Sequence, residues 1–297
     1  MSHANTPDRQ RRAIHGWLLL SPALIMLSAF ALYPSVATLW TSLWSRGTRR
    51  RPSEFVGLDG YRQLLDDPTF WKVVSNNLIY AGITIPASMV IALTMALWAN
   101  SKMPARSFLR TAYFTPTVLP MIAAGNLWLF FYTPSFGILN KIGALFGAEA
   151  VNWLGQPDTA LWAICMVTIW KEAGFFMIFY LAALQTIPPD LREAAEIEGA
   201  SRWTYTRRIV LPLLMPTTLF ILVNAMINSV KLIDHLFILT KGGPSDSSKL
   251  ILYYIWENAF AYFDRPAAAA MTVLVLIALG ALAAFQFLVL DRRTHYR

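Results

Sequence analysis

Long uncharged runs constrain this chain more than any other feature. From Ala13 to Ser45, and again from Val73 to Ser101, there is no Asp, Glu, Lys or Arg. A helix needs about 20 apolar residues to cross a bilayer, and both runs exceed that. Only 14% of the 297 residues are charged and 56% are hydrophobic. A soluble protein of this length spreads its charges through the sequence, whereas here they are gathered between apolar runs. The pattern predicts an all-α integral membrane protein with six spans, near 16–40, 76–99, 111–132, 159–184, 213–236 and 267–290.

The first run has an alternative reading as a cleaved signal peptide, because Ala29-Phe30-Ala31 mimics a cleavage site. The apolar character continues to Trp40, beyond what a signal core needs, so an uncleaved helix is expected. Residues 1–15 and 291–297 are expected to be tails on one side, basic through Arg9, Arg11 and Arg12 and through Arg292 and Arg293. Residues 41–72 carry Arg49-Arg50-Arg51 and a short amphipathic piece suited to a membrane face. Pro116 and Pro120 lie within the third span and free backbone carbonyls there, which a helix bundle can satisfy and a lone lipid-exposed helix cannot.

Between the fourth and fifth spans, residues 185–212 form a charged island. Glu193 to Glu198 are good helix formers, Gly199 breaks the pattern, Ser201 is placed to cap a second short helix, and Leu211-Pro212 closes the segment. Such a helical hairpin, held at both ends by the membrane, suits docking to a soluble partner.

Several chemistries are excluded. The histidines, His3, His15, His235 and His295, have no metal-ligand spacing, and the single cysteine, Cys165, rules out an intrachain disulfide. No phosphate-binding Gly-x-x-x-x-Gly-Lys-Ser/Thr loop is present, and no acid–base constellation suggests an enzyme. The net charge of +8 comes without aromatic-interleaved basic runs, so it points to anionic lipid and not to nucleic acid. No cofactor is implied.

Polar groups inside spans are costly unless they face a bundle or a cavity. Lys171 and Glu172 are adjacent, so they point about 100° apart on a helix and cannot both face one groove squarely. Glu172 can pair with a cation on another helix, or the two can pair partly with each other. Asn224, Asn228, Lys231 and His235 fall at i, i+4, i+7 and i+11, one stripe along the fifth helix. With Asn126, and Trp128 beside it, these are the candidates for a solute path, with helix–helix hydrogen bonding as the structural alternative. Amides and aromatic rings suit a sugar or polyol.

The spacing Glu193-Ala194-Ala195, Gly199, Ile209 and Leu211-Pro212 resembles the cytoplasmic loop of permease subunits in binding-protein-dependent ABC importers. SPALIMLSAFALYPSV, FVGLDGYRQLL, FTPTVLP and LIDHLFILTKGGP are similar to permeases of the carbohydrate importer group, which includes maltose and glycerol-3-phosphate systems. Arg265-Pro266 departs from the expected small residues before the last span. The resemblance implies a type I importer architecture with a coupling helix in the island. It implies two different permeases, two ATPase subunits and an extracytoplasmic solute-binding protein. On the same basis Glu193, Ala194, Ala195, Gly199, Arg207, Ile209, Leu211 and Pro212 form the ATPase-coupling segment. It would place the island and both termini in the cytoplasm of a bacterial inner membrane.

Charge bias agrees only weakly, with 13 Lys and Arg on the island side and ten on the other, six of these in the first loop. An ion-coupled secondary transporter is the alternative, with Glu172 and Asp234 as the available carboxylates.

Overall fold

The computed structural model describes residues 6–47, 52–101 and 106–290. Arg49-Arg50-Arg51, Lys102, the end residues 1–5 and 291–297, and the side chains of Arg9, Arg11 and Arg12 lie outside what is described. The elements in order are α1 (Thr6–Leu27), α2 (Tyr33–Thr41), α3 (Asp59–Asp66), α4 (Pro68–Ala99), α5 (Arg106–Val118), α6 (Met121–Tyr132), α7 (Ile138–Leu145) and α8 (Pro157–Gln185). They continue with α9 (Pro189–Ile197), α10 (Arg202–Tyr205), α11 (Leu211–Leu213), α12 (Met215–Lys231), α13 (Asp234–Leu239), α14 (Ile251–Trp256) and α15 (Arg265–Leu290). Five helical stretches are long and apolar enough to cross a membrane, or six when α5 and α6 count as one bent span.

The described residues divide into two compact units, one holding residues up to Asp66 with Ile255–Leu276, the other Asp67–Tyr254 with the residues from Ile277 on. In the first unit a π-turn, Ser28–Leu32, joins α1 to α2. Pro34 lies one turn ahead and has no N–H to give, so the ladder is displaced there. After α2, an antiparallel bridge pairs Trp44 with Phe55, Trp40 packs on both rings, and Ser42 bonds the Tyr61 hydroxyl at 2.6 Å. The expected amphipathic piece is α3, which buries only Leu64.

The second unit is built on α4 and α8. Asp67 caps α4 by accepting from the Thr69 N–H at 2.8 Å, with Pro68 at the first helical position. Asn76, Tyr80, Thr84, Ser88, Ala92 and Ala96 recur every four residues and are all buried. Small residues in this row, with alanines on α8, let the two backbones come close, as is common between helices in a membrane.

Two apolar clusters share these helices. One joins Tyr80 of α4 and Leu161, Ile164 and Val167 of α8 to Met121, Trp128 and Tyr132 of α6 and Leu236 and Leu239 of α13. The other joins Ala92 and Ala96 to Phe176, Met177 and Tyr180, to Ile221 and Ala225 of α12, and to Tyr113 of α5. So α4 and α8 run through both clusters, while the third and fifth spans are broken and give each half to a different one.

Both breaks have a defined place. α5 and α6 are bent by 103° at Leu119-Pro120. α12 ends at Lys231, where Leu232 turns extended (ψ 99°), and α13 starts at Asp234. The expected stripe therefore stops at Lys231. His235 is instead fully buried, stacked 6.4 Å from Tyr80 and 3.3 Å from the Thr168 hydroxyl.

Gly174 marks where α5 meets α8, since a Cβ there would lie 2.4 Å from the Tyr113 carbonyl oxygen. Gly174→Val is expected to destabilise the protein by about 1–3 kcal/mol through overpacking. Gly280→Val, with nothing within 4 Å of its Cβ, should leave stability unchanged. Thermal inactivation of the two detergent-solubilised variants, followed by size-exclusion recovery, checks this.

Candidate functional site: an exposed helix and a polar layer

Two regions carry the candidate residues. The first is the charged island. α9 starts with Pro189 at its first helical position and Asp190 in its first turn, where the helix dipole favours an acid. It ends in a Schellman motif. Gly199 is left-handed at φ +73°, its N–H donates to the Glu196 carbonyl at 3.1 Å, and the Ala200 N–H donates to the Ala195 carbonyl at 2.9 Å. No atom lies within 4 Å of a Cβ built on Gly199, so the backbone angle and not lack of space calls for glycine. Ser201 caps α10 as expected, accepting from the Thr204 N–H at 3.1 Å.

Ala195 is the only buried residue of α9. Glu193, Ala194 and Ile197, at i, i+1 and i+4, face outward, and Ile197 is 87% exposed. Trp203 is 69% exposed. An aliphatic and an indole side chain held in solvent on a segment otherwise rich in charge make a surface that gains by being covered. The sequence shows both as apolar, but so are Leu191, Ala195 and Ile209 of the island, and only the fold tells which are left in solvent. Behind α9 a cavity lined by Trp98, Ser101, Arg192, Arg202 and Tyr205 separates it from the end of α4. Arg192 is ion-paired to Glu196 at 2.9 Å. Arg207 and Pro212 are exposed, and Ile209 and Leu211 half-buried. From Arg202 to Lys231 the chain is helical almost without interruption, through α10, a π-turn at Thr206–Val210, α11 and α12.

The second region lies between the two apolar clusters. Thr84 and Ser88 of α4, Thr168 and Glu172 of α8, and Asn228 and Ser229 of α12 line one narrow crevice. Asn228 donates to the buried Glu172 carboxylate at 2.8 Å. Lys171 and Glu172 do not pair with each other. The Lys171 ammonium donates to the carbonyls of Pro116 (3.1 Å), Thr117 (3.3 Å) and Leu119. Thr168 shares a 2.8 Å hydrogen bond with the Tyr80 hydroxyl.

The structure thus brings Glu172 and Asn228 together. Asn224 is half-buried and donates to the Phe220 carbonyl of its own helix at 2.8 Å, while Lys231 is exposed at the end of α12. Asn126 is exposed on α6 and bonds the Ile122 carbonyl. Among the described residues no group of three or more His, Cys, Asp or Glu is placed to hold a metal.

Residues 71–296 match the model of a family described as the binding-protein-dependent transport system inner membrane component. The sulfoquinovosyl glycerol transport permease SmoG of Agrobacterium fabrum is 34% identical over 87% of this chain and 84% of its own. The trehalose/maltose permease MalF of Thermococcus litoralis is 32% identical, covering 91% of each chain. The sn-glycerol-3-phosphate permease UgpA of Agrobacterium fabrum is 31% identical over 94% of this chain and 96% of its own. A solved bacterial ABC transporter that imports the acidic polysaccharide alginate shares the fold, with a TM-score of 0.83 at 24% identity over 97% of this chain and 100% of that one. The chain belongs to the binding-protein-dependent inner membrane component family, as a non-catalytic permease of the sugar and glycerol-phosphate ABC importer group with the type I importer fold.

Proposed function

We propose that this permease couples to a separate ATPase through α9 and forms the solute path with a second, different permease. The observation that carries the reading is the outward face of α9, where Glu193, Ala194 and Ile197 stand free of the bundle above the turn at Gly199. An acid flanked by apolar side chains fits a groove with one basic group and apolar walls. Two ATPase subunits would serve the permease pair.

When ATP draws the ATPases together, the docked helix moves with them. The helical run from Arg202 to Lys231 passes that movement to α12, and Asn228 carries it to Glu172 on α8. The island and both termini lie in the cytoplasm of a bacterial inner membrane, with lipid around the spans.

A solute-binding protein delivers the solute on the opposite side. A solved relative of the same fold is an alginate importer in complex with an alginate pentasaccharide-bound periplasmic protein, with a TM-score of 0.84. The solute is a sugar, polyol or glycerol-phosphate-like molecule, in keeping with the names of the relatives. Glu172 and Asn228 are the groups best placed to meet it, and Asn224, Asn126 and Lys231 would flank the path.

Pull-down of the solubilised protein from its own membranes tests the docking. Wild type is expected to recover a nucleotide-binding subunit and a second permease. Glu193→Ala, Ile197→Asp and Gly199→Trp are expected to lose the nucleotide-binding subunit. If all three variants still retain it, the docking role of α9 is wrong. Asn228→Leu tests the path: a lost charged hydrogen bond, worth about 1.5–3 kcal/mol, should lower uptake about tenfold or more while ATPase recovery stays normal. Uptake that persists without ATP and collapses when ion gradients are dissipated would instead favour a secondary transporter.

A further inference from the structure

The third span loses backbone hydrogen bonds at its middle and recovers them from another helix. The last carbonyls of α5 have no helical donor ahead of them. Pro120 has no N–H, and α6 leaves the axis at 103°. In a bilayer water does not fill the gap, so such carbonyls need a protein donor. Lys171 is that donor, and its ammonium reaches the carbonyls of Pro116, Thr117 and Leu119. An ammonium has three N–H bonds and no acceptor, so three carbonyls use its whole capacity. Its positive charge also faces the negative end of the α5 dipole. Gly174, one turn along α8, brings the backbone of α5 close enough for this reach, with Tyr113 directly against it. Glu172 does not compete for the ammonium, because its carboxylate turns to Asn228 on α12.

We propose that Lys171 is a positioning residue that fixes the angle between α5 and α6 by capping the open carbonyl end of α5 from the neighbouring helix. α6 is packed in the cluster with α13, and α5 lies against α8 beside the cluster with α12. The angle therefore sets how the two clusters are registered on each other. Loosening it should slow the transport cycle more than it weakens solute capture.

The test is a distance measured across the break in the full-length protein, purified from membranes with the subunits it retains. Spin labels are placed at Phe108→Cys on α5 and Phe130→Cys on α6, both on exposed side chains, in a Cys165→Ala background. Wild-type Lys171 should give a narrow distance distribution. Lys171→Met, which keeps the length and removes the donors, should broaden and shift it, and Lys171→Arg, which restores charged donors, should narrow it again. In uptake assays Lys171→Met should lower the maximal rate about tenfold with little change in the half-saturating concentration. A Lys171→Met distribution that superimposes on wild type overturns the proposal. Should Lys171→Met fail to accumulate, Lys171→Leu, which also lacks donors, takes its place under the same criteria. The uptake arm rests on the permease reading above and the distance arm does not, so unchanged distances with lost uptake reject the positioning role alone.

Discussion

Hydrocarbon offers no hydrogen bonds, and the architecture of this permease follows from how each interruption of a span meets that constraint. α8 runs uninterrupted and satisfies its own backbone, whereas α4 is unbroken but carries Pro86, which leaves the Gly82 carbonyl without its helical donor. The third and fifth spans break; α8 supplies donors to backbone carbonyls at the first break and side-chain hydrogen bonds to both pieces of the fifth span. Lys171 supplies donors to the end of α5, Glu172 accepts from α12, and Thr168 lies against His235 of α13. Three residues of one helix thus meet three pieces of the two broken spans. α8 can act as a reference post because it has no such backbone debt of its own.

The result is a polar layer held between two apolar clusters. Each cluster has its own half-spans, so the layer is where they can be displaced relative to each other with least loss of packing. Apolar surfaces packed to interior density resist displacement, because moving them opens voids. Such a layer suits a protein whose family moves solutes across a membrane.

Much of this was legible from residues alone. The charge-free runs marked two of the long apolar helices, Gly199 and Ser201 marked the turn and the cap, and the adjacency of Lys171 and Glu172 kept them from facing one groove squarely, while leaving open whether they pair with each other. Pro116 and Pro120 announced freed carbonyls, but not that the span would bend by 103°, because a proline removes a bond without dictating which direction the chain then takes. The break at Leu232 was invisible, since no proline or glycine stands there and Leu-Ile continues a helix as readily as it ends one. His235 therefore seemed to extend a stripe that the tertiary packing interrupts. The outward set of α9 needed the fold as well, because Ala195 and Ala194 are alike in sequence and only packing decides which is hidden.

The buried row on α4 has a geometric consequence. Residues four apart on a helix of 3.6 residues per turn are displaced by about 40°, so the five steps from Asn76 to Ala96 carry the row about 200° around the axis. One side of α4 cannot hold all of it. Tyr80 bonds Thr168 of α8, and by the end of the helix the Ala99 carbonyl accepts from the guanidinium of Arg110 on the α5 segment. The row is a spiral and not a seam. Equivalent alanines along it answer to different neighbours, and the handedness of that winding is written into a spacing of four.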